Sequence, residues 1–90
     1  MVEVLIPPTL RRFCGGTDRV EVNPGTVASA IDQLHDRFNG IRERLVETQG
    51  AVRGSVLIFV NEEDIRFLQN QETVLKDGDR LSIIPAFAGG

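Results

Sequence analysis

Residues 77–90, DGDRLSIIPAFAGG, place a turn, a strand, a proline and a pair of glycines in direct succession. Asp77-Gly78-Asp79 predicts a tight turn, because aspartate side chains bond to nearby backbone and glycine tolerates a positive φ. Arg80 to Pro85 predicts a strand, which the proline ends because it has no backbone N–H to donate. A folded domain that ends in this way raises the question of what the terminal Gly89-Gly90 does.

The first part of the chain has the pattern of a hairpin followed by a helix. Val2–Ile6 and Arg19–Val22 alternate between apolar and polar residues and predict two paired strands. Thr26 stands at the position of a helix N-cap, and the Asn39-Gly40 pair marks the expected end. Between them, apolar residues recur at helical spacing and predict one amphipathic helix: Val27, Ala30, Ile31, Leu34 and Phe38.

The second part of the chain adds a short helical turn and further strands. Ile41 and Leu45 are expected to pack that turn on the core. Ser55–Val60 predicts a third strand, and Ile65–Phe67 predicts a short fourth one. Val74 and Leu75 are expected to be buried before the last strand. The resulting order predicts an α+β domain in which a mixed sheet of four to five strands packs on one main helix.

The first, third and last predicted strands carry apolar residues on both faces. If the valine and isoleucine sets face the helix, the opposite face presents Leu5, Leu57, Phe59 and Ile84. We interpret these four residues as a partner-docking patch, because exposed apolar clusters usually mark protein interfaces. The alternative is that the loops 46–54 and 68–77 fold over them.

Composition excludes several classes of function. The chain has 90 residues, a net charge of −3 and no long apolar run, so we expect one domain that binds neither nucleic acid nor membrane. One cysteine, Cys14, and one histidine, His35, cannot form a four-ligand zinc site. Both are interpreted as structural or surface residues, and Glu62-Glu63-Asp64 as a solvated turn. The first residues lack the layout of a signal peptide, and a cytoplasmic location is therefore expected.

Two segments carry a resemblance to a known family. The segments VNEEDIRF and DGDRLSIIPAFAGG, together with GIRERL after the helix, resemble the ThiS/MoaD family of bacterial sulfur carriers. Within it the chain is most similar to the carriers of O-phosphoserine-dependent cysteine biosynthesis. The resemblance implies a β-grasp, or ubiquitin-like, fold with strand order 2-1-5-3-4. It also implies a domain over residues 1–85 and a flexible tail over 86–90, made of Ala86, Phe87, Ala88, Gly89 and Gly90.

The family resemblance implies a chemistry for the chain end. An E1-like enzyme uses ATP and magnesium to adenylate the carboxylate of Gly90, and a sulfur donor then converts it to a thiocarboxylate that serves a biosynthetic enzyme. The chain itself is a co-substrate rather than a catalyst and binds no cofactor. Glycines suit this role because they leave the carbonyl open to approach. Cysteine is the expected product, with molybdopterin, the thiamine thiazole, thiolated tRNA and thio-metabolites as alternatives.

Two other functions are compatible with the same sequence. A ubiquitin-like modifier shares the activation step but forms isopeptide bonds with lysines. A passive β-grasp interaction module would not use its terminal glycines, and deleting Gly89-Gly90 would then change nothing.

Overall fold

The computed structural model describes residues 1–86, and a mixed sheet covered on one face by a helix forms their centre. The helices and strands, in chain order, are β1 Val2–Leu5, β2 Arg19–Val22, β3 Gly25–Thr26, α1 Val27–Arg37, α2 Ile41–Leu45, β4 Val56–Val60, β5 Glu63–Asp64, β6 Val74–Leu75 and β7 Arg80–Pro85. Short 3-10 turns lie at Pro8–Phe13, Ile65–Phe67 and Asn70–Glu72.

The main sheet has the order β2-β1-β7-β4-β5, and β3 pairs separately with β6. β1 and β7 are parallel neighbours in its centre, whereas β1–β2, β4–β7 and β4–β5 are antiparallel. When the two-residue strands β3 and β6 are set aside, this is the order 2-1-5-3-4. The predicted β-grasp topology and α+β class are therefore confirmed.

The helix α1 begins where the sequence predicts. The Thr26 hydroxyl accepts a hydrogen bond from the backbone N–H of Ser29 at 3.1 Å, and the Ser29 hydroxyl accepts one from the backbone N–H of Thr26 at 2.9 Å. This reciprocal pair satisfies two backbone donors at the helix start. The helix ends at Arg37, and Gly40 has a φ of 92° that an L side chain rarely adopts.

The core lies between α1, α2 and the helix-facing side of the sheet. In α1 the predicted stripe is buried apart from Phe38, which is half-buried after the last helical residue. Ile41 and Leu45 of α2 are fully buried, as expected. The sheet contributes alternate residues of its strands: Val2, Val4, Val20, Val22, Ile58, Val60, Leu81 and Ile83.

Three predictions around residues 62–75 are wrong. The strand next to β4 is Glu63–Asp64, and Ile65–Phe67 is a 3-10 turn in which the Asp64 carboxylate accepts a hydrogen bond from the backbone N–H of Arg66. Asp64 is therefore buried rather than part of a solvated turn, although Glu62 and Glu63 are exposed. Leu75 is buried as expected, but Val74 is 58% exposed because the two-residue strand β6 turns only one side chain inward.

Among residues 1–86, no helix combines the length and the apolar character that crossing a membrane requires.

Candidate functional site

The last residues of the central strand β7 lie at the end of the sheet that holds the candidate site. Pro85, opposite Val56 of β4, is the last residue of β7. The backbone N–H of Ala86 still donates a hydrogen bond of 2.9 Å to the carbonyl of Ser55. Attachment to the sheet thus extends one residue beyond the proline, into the first residue of the predicted tail.

The rest of the predicted tail lies outside the described residues. Phe87, Ala88, Gly89 and Gly90 keep the roles expected from the sequence as predictions, with the carboxylate of Gly90 as the reacting group. Residues 1–86 define the position of Pro85 and Ala86, which we call the tail root.

The four residues of the predicted docking patch lie on the sheet face opposite α1. Ser82 of β7 is the register partner of both Leu5 in β1 and Phe59 in β4, and Leu57 is directly opposite Ile84. The side chains therefore form two adjoining rows across three strands, because register partners project to the same face. Ile84 is 40% exposed, and the other three are partly exposed. The predicted facing is confirmed, and the docking role stays a prediction.

The loops that were expected as possible covers border this patch without sealing it. Residues 51–54 and the segment 64–66 line a groove of about 520 Å³, together with Leu57 and residues 69–72. Ile84, on the other side of Leu57, lines a separate pocket.

Ion pairs flank the patch on both sides. The Glu3 carboxylate accepts from Arg19 Nη1 at 2.8 Å and from Arg80 Nε at 3.1 Å. On the other flank, Asp64 stands opposite Phe59 and binds the guanidinium of Arg66 at 2.7 and 3.0 Å. These bonds hold the pKa of Asp64 below its ordinary value and raise the pKa of Arg66. The described part of the chain thus ends beside an apolar strip with charged borders.

Phe67 is a candidate docking residue that the sequence pattern did not reveal. Its side chain is 82% exposed, because the 3-10 turn after Asp64 carries it away from the sheet. The sequence pattern predicts a strand at Ile65–Phe67 and therefore does not identify Phe67 as an exposed residue. An aspartate followed two residues later by an arginine, as in Asp64 and Arg66, is the capping signal that identifies such a turn.

The remaining chemical groups do not assemble into a second site within residues 1–86. No group of three or more His, Cys, Asp or Glu side chains there is arranged to hold a metal ion. Cys14 is buried, and burial raises the pKa of its thiol, which disfavours the nucleophilic thiolate. His35 is half-buried, and its Nδ1 has no hydrogen-bond partner in the described part of the chain.

Comparison with protein families gives one match over residues 4–90, to the family described as the ThiS family. Among curated proteins, the sulfur carrier protein CysO of Mycobacterium tuberculosis is 40% identical over 99% of this chain and 98% of its own length. The molybdopterin synthase sulfur carrier subunit of the same organism is 35% identical over 99% of this chain and 96% of its own.

Two further matches concern architecture and a second function. The crystal structure of the Amycolatopsis orientalis BexX/CysO complex contains a chain that is 42% identical, with full coverage of both chains and a TM-score of 0.93. Small archaeal modifier protein 3 of Haloferax volcanii is 34% identical over 72% of this chain and 70% of its own.

Proposed function

The chain belongs to the ThiS family, and from that premise we propose that it is a sulfur carrier protein of the CysO type, whose working group is the carboxylate of Gly90. The observation that carries the proposal is the position of the tail root. The central strand β7 ends at Pro85, and Ala86 follows it, beside the apolar residues Leu57 and Ile84. An enzyme that takes up the tail meets this surface at once.

The proposed chemistry has two steps, both at the chain end. The Gly90 carboxylate attacks the α-phosphate of ATP, pyrophosphate leaves, and an acyl-adenylate forms. Hydrosulfide then attacks the acyl carbon, AMP leaves, and a thiocarboxylate remains. An E1-like activating enzyme supplies the ATP site and the magnesium. No cofactor binds to this chain, which acts as a co-substrate.

The short tail explains why the body of the protein must dock. Four residues follow Ala86, and four extended residues span at most about 14 Å. The enzyme that binds the Gly90 carboxylate must therefore contact the sheet near Ser55 and Ile84. The patch of Leu5, Leu57, Phe59 and Ile84 is the apolar surface within that reach, and we assign it to docking.

Cysteine biosynthesis is the proposed destination of the sulfur. The support is the similarity to CysO, which is higher than that to the molybdopterin synthase subunit. The sulfur-accepting enzyme for this pathway would take up the same tail after the activating enzyme has released it.

Intact mass spectrometry tests the proposal directly. The protein is incubated with ATP, magnesium, sulfide and the E1-like enzyme of the same organism. The expected result is a mass gain equal to the replacement of one oxygen by one sulfur. A variant that lacks Gly90 serves as the control and should gain nothing. The same enzyme is first shown to be active on a carrier that it is known to adenylate. If the mass of the full chain then stays unchanged, the proposal is contradicted.

Conjugation to lysines is the alternative function, and the similarity to small archaeal modifier protein 3 favours it. It shares the adenylation step but ends in an isopeptide bond between Gly90 and a lysine side chain. High-mass adducts of this chain in cell extracts, absent when Gly90 is deleted, would identify this function.

A further inference from the structure

The arginines of the chain fall into two groups that differ in their partners. Arg19, Arg42, Arg66 and Arg80 each form an ion pair with a carboxylate. The other five have no carboxylate within ion-pair distance among residues 1–86: Arg11, Arg12, Arg37, Arg44 and Arg53. Three of these five lie near the last residues of β7: Arg12, Arg44 and Arg53.

Two of them share a single aromatic ring. The guanidinium carbon of Arg44 lies 4.5 Å from the centroid of the Phe13 ring, and that of Arg12 lies 5.1 Å from it. The ring is attracted to both cations but does not neutralise either. Phe13 thus holds two positive charges close together without a described carboxylate between them.

Arg53 extends this cluster toward the tail root. Its Nε donates a hydrogen bond of 2.7 Å to the backbone carbonyl of Glu43, and no carboxylate of residues 1–86 lies within ion-pair distance of its guanidinium. Arg53 precedes Ser55, whose carbonyl binds Ala86, and it therefore lies next to the point where the chain leaves the sheet.

A pocket of about 420 Å³ connects these groups to the tail root. Arg44 and Arg53 line it together with Ile84 and Pro85. Glu43 also lines the pocket but forms no ion pair with either arginine. The remaining lining residues are uncharged: Pro7, Thr9, Leu10, Ser55, Val56 and Ile83.

The pocket has the chemistry of a carboxylate receptor. A concave surface with apolar walls concentrates the potential of the charges that line it, and guanidinium groups match carboxylates with two parallel hydrogen bonds. The chain as a whole carries a net charge of −3, so these arginines form a positive site on a protein that is negative overall. It fits an acidic segment of a protein and disfavours a basic one.

We propose that this pocket, lined by Arg44 and Arg53, receives acidic side chains of the activating enzyme and so positions the tail at that enzyme's ATP site. This inference rests on the proposed function. The occupant is the enzyme rather than a nucleotide, because the pocket adjoins the tail root and the four remaining residues keep the enzyme within about 14 Å of it. The apolar patch then contributes contact area, and the arginines set orientation and partner choice.

Calorimetric titration against the purified activating enzyme, without ATP, tests the docking step. Arg44→Gln and Arg53→Gln are each compared with Lys76→Gln, which removes the same charge at the opposite end of β7. Each arginine variant should bind roughly fivefold more weakly at low salt, while Lys76→Gln should bind like the wild type. The difference should shrink to about twofold in 0.5 M salt, because screening weakens exposed charge pairs. Equal binding by all three variants would overturn the inference.

Further measurements separate this inference from the proposed function. All titrations are repeated on chains that lack Gly89-Gly90, so that docking is read without carboxylate chemistry, and the arginine dependence should persist. Circular dichroism checks that each variant is folded. If Arg44→Gln unfolds through loss of the Phe13 contact, the binding of Arg53→Gln alone decides the test. A normal sulfur gain in both variants at limiting enzyme, with unchanged affinity, would refute the pocket's role and leave the carrier function intact.

A competing occupant gives a different result. If the pocket bound the phosphates of ATP, then ATP added to the isolated protein would shift the NMR signals of the Arg44 and Arg53 side chains. Such shifts would overturn the inference in favour of nucleotide binding. We expect none with ATP alone.

Discussion

The two faces of the central sheet are made from alternate residues of the same strands, yet only one of them is core. Ile83 and Ile84 are adjacent in β7 and identical in chemistry, but Ile83 is 4% exposed and Ile84 is 40% exposed. The helices α1 and α2 cover the first face, and the second has no such cover among residues 1–86. Apolar character in a strand therefore stabilises the fold on one face and is available for binding on the other.

The two ends of β7 also differ in how the charges near them are arranged. Toward the start of β7, Glu3 bridges Arg19 and Arg80, so the charges there are already compensated. Toward the end of β7, Arg44 and Arg53 have no described carboxylate partner. The positive charges that are available to bind a partner thus lie near the last residues of β7.

The largest effect should come from placing a charge at the two adjacent isoleucines. Ile83→Asp should destabilise the fold by about 4 kcal/mol or more, because it buries an unpaired carboxylate. Ile84→Asp should keep stability within about 1 kcal/mol of wild type, since its side chain reaches water. Urea denaturation measures both.

The binding side of this comparison uses the same Ile84→Asp variant. It should bind the activating enzyme about tenfold more weakly, as expected for a charge placed in an apolar contact. If Ile84→Asp unfolded the chain, Ile84 would belong to the core and the distinction between the faces would fail.

A smaller effect is expected from truncation without charge. Leu81→Ala on the covered face should cost about 2–5 kcal/mol, because it leaves a cavity beside α1. Leu57→Ala on the open face should cost less than about 1.5 kcal/mol, since its side chain is only partly buried and water can fill the space. Equal losses in chemical denaturation would show that the outer face is packed as tightly as the inner one.

The helix that covers the inner face depends on its first hydrogen bonds. Thr26→Ala removes the hydroxyl that accepts from Ser29 and should cost about 1 kcal/mol. Thr26→Ser, which keeps the acceptor, is the matched control and should lie near the wild type. Thermal unfolding of both variants measures the difference, and a normal melting temperature for Thr26→Ala would show that packing alone maintains the helix start.

The smallest effect concerns the ion pair at the border of the outer face. Hydrogen bonds from the Arg66 side chain, and then from its backbone N–H, lower the pKa of Asp64 in the folded state. The resulting stability is present above the ordinary aspartate pKa of about 3.9 and is lost as pH falls through the lower folded-state value. The stability gap between wild type and Asp64→Asn should therefore be largest near neutral pH and shrink in acid. A gap that does not change with pH would contradict this assignment.

The fold was predictable from local patterns because most segments had one strong period. Helical spacing from Val27 to Phe38, the Thr26 cap and the alternation in β1 and β2 all correspond to the observed elements. The region after β4 was not predictable in this way. Ile65–Phe67 has β-prone side chains, and the Asp64 cap overrides that preference. Tertiary context commonly decides such short segments.

The candidate site was predictable in part. The parity of β1, β4 and β7 placed Leu5, Leu57, Phe59 and Ile84 on one face, and the register confirms their alignment. The exposed Phe67 and the arginine pocket were not foreseen. Arg44 lies in α2 and Arg53 nine positions later in the loop before β4, and no local period relates them.

The amino-acid sequence by itself determined most of the secondary structure, the two apolar faces of the sheet and the double-glycine end. Each of these depends on residue type at a fixed spacing along the chain. Only the tertiary structure decided which apolar face is covered, and which arginines meet at the root of the tail. The physical reason is that burial and electrostatic compensation depend on distances between segments far apart in the chain, which local spacing does not encode.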